Sequence, residues 1–386
     1  MNYLFFDIEI TGHHSEYIGH LINYFKDYKR EGNNVFIVHP HFKEKFPLLV
    51  SDARNAHNVL LVEITDEEYQ RSIDGNLIKM SFSRFKLVKK YAKKYLASHV
   101  FLLHFNVFQF SLIFLRPSFK IRGILFLQFY RMGKQQWSER FKYLRKYLIT
   151  KFYTSNKRIE RVFILNDPSS VDYLNGTFRK GLFHVLNDPV PSLQPLNDFD
   201  VYSYYDIERH RKILLHPGAL SDRKGTIEFI QSALFIKPEL QNELVILVAG
   251  SPGGAQMSER IENEISQINE STCVRAVYDP GFLSNEKMKS ILDQCYAIVI
   301  PYKHAEASSG ILGHAAASNK PVISTGKGLL KELIETYSLG ILIDEVNPEL
   351  IAQKIEELLH HDYWRSDAAK FVAERTPENF ASTLVV

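Results

Sequence analysis

Short apolar runs alternate with stretches of helical spacing along most of the chain. That alternation predicts parallel strands covered by helices. Residues 3–8 read as a first strand, Gly12 as a turn, residues 15–29 as an amphipathic helix closed by Gly32, and residues 34–38 as the next strand. A basic helix over 84–96 leads into a strand at 100–105, and further strands are expected at 123–128 and 161–165. Residues 39–78 carry no clear period and predict no element. Turn formers gather at Asn187-Asp188-Pro189-Val190-Pro191 and again at 195–198. Beyond them the pattern is cleaner. Strands are predicted at 211–215, 244–249, 274–278, 297–301, 322–324 and 340–343, and helices at 225–235, 259–268, 285–294, 311–317 and 348–360. A chain of 386 residues is too long for one core. The expected fold is therefore α/β, two doubly wound Rossmann-like domains facing across a cleft at the carboxyl ends of their strands. The domains are expected at 1–190 and 206–370, joined by a linker at 191–205.

Charge changes this picture in one place. The net charge is only +3, yet residues 84–161 hold 19 Lys and Arg against two acids, Glu139 and Glu160. The basic side chains alternate with Phe, Tyr, Leu and Trp, and residues 129–153 read as a pair of basic amphipathic helices. Basic plus aromatic favours an anionic membrane surface over a plain solvated face, with nucleic acid the least favoured partner. The longest apolar stretch, 100–115, is broken by His104, Asn106 and Gln109, and is too short and polar for a membrane span. The first residues lack the basic start and small-residue cleavage site of a secretory signal. Two cysteines, Cys273 and Cys295, provide no disulfide framework. The expected location is the cytoplasm, at or near the inner face of the membrane.

Two segments could carry chemistry. Gly218-Ala-Leu-Ser-Asp-Arg-Lys-Gly225 follows a strand and opens a helix, where free N–H groups and the helix dipole favour an anion. Arg223 and Lys224 add two full charges, so a diphosphate suits the loop; a plain surface turn is the competing reading. Tyr302-Lys-His-Ala-Glu-Ala-Ser-Ser-Gly-Ile-Leu-Gly-His314 also follows a strand and precedes a helix. There Ser308 or Ser309 can cap the helix, Gly310 admits a ligand to the backbone, and the Glu306 carboxylate can accept from sugar hydroxyls. Ile311 and His314 continue that surface into the first helical turns. Taken singly, Glu306 is better explained as a first-turn acid and His314 as an interior histidine. Asp198-Phe199-Asp200 matches a metal-binding Asp-x-Asp pattern, but it lies in the expected linker and reads as turn residues.

The stretch PYKHAEASSGILGHAAASNKPVIST resembles the signature of retaining GT-B glycosyltransferases, glycosyltransferase family 4 in particular. Lys224-Gly225 resembles the family's phosphate loop, Ala249-Gly250 and Asp279-Pro280-Gly281-Phe282 its next two loops, and residues 184–190 its interdomain hinge. Residues 371–386 resemble the closing helix that returns to the first domain. The resemblance implies transfer of a sugar from a nucleotide-diphosphate-sugar donor to an acceptor hydroxyl, with retention and without metal or other cofactor. Lys224, Arg223, Glu306 and His104 would be catalytic. Gly12, His13, Gly218, Gly250, Ser308, Ser309, Gly310, Ile311 and His314 would bind the donor. The acceptor would be a glycan, such as a lipid-linked glycan of cell-surface polysaccharide synthesis. Three positions depart from the family: His314 replaces an acid that binds ribose, Ala219 replaces an arginine, and Gly12-His13-His14 replaces paired glycines. A nucleotide-sugar epimerase, a phosphorylase and a catalytically silent scaffold remain open as alternatives.

Overall fold

The computed structural model describes all residues except 127, 134–135, 304–308 and 361–365. It divides into two compact units, Met1–Asp188 with Pro377–Val386, and Pro189–Thr376. Each unit is built on one parallel sheet.

The first sheet holds β1 (Asn2–Phe6), β2 (Asn34–Val38), β3 (Val59–Glu63), β4 (Ala97–Leu102), β5 (Lys120–Leu125), β6 (Ile159–Leu165) and β7 (Phe183–Leu186), in the order β3-β2-β1-β4-β5-β6-β7. Side chains alternate across it with period two. Phe5 stands in register with Phe36 on one side and Phe101 on the other. The three rings stack at 4.6 and 4.5 Å between centroids. They lie beneath helices His14–Asp27 and Pro377–Val385, whose inward residues Tyr17, Ile18, Leu21, Phe380 and Leu384 are fully buried. Leu4, Phe6, Val100 and Leu102 face the other way, onto Phe85, Val88 and Ala92 of helix Leu77–Lys94. Phe380 packs on Tyr17 at 4.7 Å, and Arg122 Nη1 donates to the Val385 carbonyl at 2.6 Å. The closing helix thus joins the first unit, starting at Pro377 rather than at 371.

Residues 39–78, unpatterned in sequence, fold as helices Phe42–Lys45 and Pro47–Asn55, strand β3 and helix Asp66–Ile73. The helices are short and β3 is only partly buried, so neither period is expressed over enough residues to be read. The stretch 129–153 contains one long helix, Trp137–Tyr153, where a pair was expected.

The second sheet holds β8 (Lys212–Pro217), β9 (Leu244–Gly250), β10 (Arg275–Pro280), β11 (Ala297–Ile300), β12 (Val322–Thr325) and β13 (Gly340–Ile343), ordered β10-β9-β8-β11-β12-β13. β9 and β11 are buried along their whole length, which explains why they read as unbroken apolar runs. Residues 191–205 are not a solvated linker. Val201 is fully buried, its N–H donates to Gln294 Oε1 at 3.0 Å, and Gln294 Nε2 donates back to the Phe199 carbonyl at 2.8 Å. Asp200 caps the short helix Val201–Tyr204 and pairs with Arg209 at 2.7 Å, so its carboxylate serves the local turn. No helix among the described residues is long and apolar enough to cross a membrane.

Because Val201 sits in the core of the second unit, V201A is expected to cost about 2 kcal/mol, read as a lower urea midpoint. A true linker residue would leave the midpoint unchanged.

Candidate functional site

In a doubly wound sheet, ligands bind where neighbouring strands send their connections to opposite sides. In the second unit that point lies between β8 and β11. The chain leaves β8 at Gly218 with φ +103°, its N–H donating to the Ala249 carbonyl at 2.9 Å. Gly250, at φ +146°, comes so close that a Cβ on it would lie 1.8 Å from the Gly218 carbonyl oxygen. The loop then makes a single turn, Asp222–Lys224, and ends at Gly225, where a Cβ would lie 2.2 Å from the Pro301 carbonyl. These glycines let the loop lie directly on the ends of β9 and β11. A buried relay fixes it from below. Ser221 N–H donates to Thr226 Oγ1 at 3.2 Å, and Thr226 Oγ1 lies 3.0 Å from His216 Nε2. His216 Nδ1 donates to the Val299 carbonyl at 2.7 Å. Burial pushes the His216 pKa down to about 4, so the imidazole is neutral and Nε2 accepts from the threonine.

Lys224 is held in an unusual place for an ammonium group. Its Nζ lies 3.5 Å from the centre of the Tyr302 ring, a cation–π contact. Burial, with Arg223 adding like charge, lowers its pKa to about 8. Tyr302 is itself buried, with its hydroxyl 3.1 Å from Ser309 Oγ at the start of helix Gly310–Ala317. Lys303 N–H donates to the Arg223 carbonyl at 3.0 Å. The loop after β8 and the segment after β11 are therefore one assembly. Ile311 reaches the same place, since a Cβ on Gly218 would sit 3.8 Å from Ile311 Cδ1. His314 lies one turn along the helix, where burial, helped by Lys289, lowers its pKa to about 4. It is neutral near pH 7, able to exchange hydrogen bonds but unable to supply the negative charge that a carboxylate would bring.

The first unit has its own switch point, between β1 and β4. Gly12 turns the chain at φ +67°, and three histidines gather around Phe126. His13 and His14 stack at 5.4 Å, and His14 lies 5.3 Å from His104. Buried Asp7 holds His14 Nδ1 at 2.7 Å. Burial opposes charging of His14, but Asp7, with Glu9 beyond it, outweighs that and raises the pKa. Glu9 binds Arg84 Nη1 at 2.6 Å. His104 Nδ1 stands 3.8 Å from Glu9, outside hydrogen-bond reach but within ion-pair range. The His104 imidazole and the Arg84 guanidinium hold the Glu9 carboxyl at about 2, against the opposing effect of burial.

The family comparison falls on the unit that carries Lys224. Residues 205–375 match the model of the family described as glycosyl transferases group 1. The matched segment lies within the second unit and spans less than half of the chain. No curated protein matches the chain. Among solved structures, a glycosyltransferase from Rickettsia africae ESF-5 is similar with a TM-score of 0.69 at 16% identity, over 98% of this chain and 95% of that one. The Candida albicans trehalose-6-phosphate phosphatase N-terminal domain is similar with a TM-score of 0.71 at 12% identity, over 100% and 95%. Anabaena HepE, solved in complex with UDP-glucose, gives 0.65 at 13% identity, over 100% and 98%. At these identities the likeness is one of fold, and the fold is GT-B, two parallel sheets flanked by helices.

The residues expected from sequence fall into two groups. Lys224, Arg223, Gly218, Gly250, Ser309, Gly310 and Ile311 come together at the switch point of the second unit, while His314 lies a turn further along the helix, beside Lys289. Gly12, His13 and His104 come together in the first unit. Glu306 and Ser308 lie outside the described residues. Sequence reasoning passed over Tyr302 as the platform for Lys224, and over Asp7, Glu9, Arg84 and Phe126. Two acids directly after an apolar strand were a signal for Asp7 and Glu9. Nothing local marks Arg84, which is 75 positions from Glu9.

Two outcomes are expected. G250A destabilises the second unit by about 2–4 kcal/mol through its backbone clash, whereas G310A, with open space around its Cβ, changes stability by less than about 1 kcal/mol; equal unfolding midpoints for the two would contradict the packing described. By NMR titration, His14 has a pKa above its ordinary 6.5, and D7N drops it below that value because burial, the largest effect, then outweighs the remaining pull of Glu9. The His14–Asp7 contribution to stability is full below the unfolded pKa and is lost as pH rises through the raised folded value.

Proposed function

We propose that this chain moves a sugar from a nucleoside diphosphate sugar to an acceptor hydroxyl, with retention of configuration and without a bound metal. The observation that carries this reading is Lys224, desolvated over the Tyr302 ring beside a glycine-walled loop in a group 1 domain. As the anomeric bond breaks, its electron pair passes to the diphosphate oxygen. A cation in a low-dielectric setting opposes that growing charge far better than one in water. Arg223 adds to the field, and Glu306 holds the donor sugar on the strength of its sequence motif. HepE was solved with UDP-glucose, so a UDP-sugar is the first donor to test. The acceptor is a lipid-linked glycan of cell-surface polysaccharide synthesis, reached from the cytoplasmic face of a membrane.

Turnover of a donor panel, followed by release of nucleoside diphosphate and by the anomeric proton of the product, tests each part. K224A is expected to lower kcat/KM by about a hundredfold or more. In the intact protein kcat/KM falls as pH rises through about 8, because the free protein then loses the Lys224 charge. A chelator leaves the rate unchanged. Nucleoside diphosphate formed in step with glycosylated product excludes an epimerase or phosphorylase. Binding of nucleotide sugar without turnover across many acceptors would instead support a silent scaffold.

A further inference from the structure

The helix Trp137–Tyr153 buries one face and leaves a second, apolar face exposed. Its inward side holds Thr150 and Tyr153, with Tyr143 hydrogen-bonded to Tyr173 at 2.7 Å and Tyr147 packed on Phe178. The opposite side carries Trp137, Phe141, Leu144, Leu148 and Phe152, exposed by 86, 69, 52, 40 and 54%. At about 100° per residue these five fall within an arc of roughly 80°. Arg140 and Lys151 border that arc on one side, and Arg145 and Lys142 on the other. Glu139, the one acid of the helix, accepts from the Gln136 N–H at 3.2 Å in its first turn.

We infer that this helix lies in the plane of an anionic lipid surface, its five apolar side chains in the acyl boundary and its flanking cations at the headgroups. Charge complementarity selects this occupant. A second copy of the chain would oppose two equally basic borders across the contact. Nucleic acid would suit the cations and could stack on the aromatics, but Leu144 and Leu148 offer it nothing. Anionic lipid suits both halves, because long basic side chains reach headgroups while the aliphatic and aromatic groups enter the interface. The helix lies on such a surface and does not cross it. This deepens the reading of a membrane-side acceptor. It is measured without donor or acceptor, so it can fail while sugar transfer stands.

The test uses the full chain with vesicles of equal parts phosphatidylglycerol and phosphatidylcholine, or of phosphatidylcholine alone. Flotation is expected with the anionic vesicles at low salt and is lost at high salt or without phosphatidylglycerol. In a W364F background Trp137 is the sole tryptophan; its emission shifts to the blue on binding and is quenched by brominated lipid. R140E/R145E weakens partitioning by about 25-fold or more, taking fivefold per basic residue near an anionic surface. F141S/L148S abolishes the Trp137 shift. Both variants change exposed positions, and circular dichroism checks that they stay folded. Absence of flotation at low salt overturns the proposal. So do unchanged binding by both variants, and a self-association by sedimentation velocity that F141S/L148S removes.

Discussion

Each sheet reverses its strand order once, between β1 and β4 and between β8 and β11. Parallel strands need right-handed crossovers, and at a reversal the connections leave on opposite faces. No helix then covers the strand ends at that point. The Lys224 loop and the histidine cluster collect there. Loops from three strands converge on one small area: at 225 and 250 a single methyl group would collide with a carbonyl, and at 218 the turn needs a φ of +103° that favours glycine. The histidines of the first unit gather for the same topological reason, around a phenylalanine that follows β5.

The two gathering places have different electrostatic character. Around Lys224 the cation is desolvated by an aromatic ring and repelled by its neighbour, which leaves an appetite for an anion. Around Asp7 and Glu9 the charges are already balanced, with His14 on one acid and Arg84 on the other. Such a balanced cluster orients polar side chains rigidly.

The second unit was largely legible because its central strands are buried on both faces and its loops are marked by glycine, so apolar runs and turn signals agree. The domain boundary was legible too, within a few residues, from the turn formers near Pro189. The same composition misled the reading of residues 191–205. Pro, Asn and Asp signal turns, but they do not say whether the turns are solvated, and Val201 and Gln294 show these are packed. In the first unit, short helices and a half-exposed strand blurred the period between 39 and 78. The candidate residues marked by motif are those that sit together within a loop. Those missed act across the fold: Tyr302 by presenting a ring to a side chain from another loop, Arg84 by reaching back from a helix to the end of β1.

The helix Pro377–Val385 completes a core begun by the first strand, yet the entire second unit intervenes in the sequence. During synthesis on the ribosome, residues 189–376 emerge and can fold while Tyr17, Phe25 and their neighbours still lack their cover. The amino-terminal unit is then the last to be finished, although it is the first to be made. Until residues 377–385 arrive, the aromatic side of its sheet is an open apolar surface, the stage at which a nascent chain of this kind is most exposed to aggregation or chaperone capture.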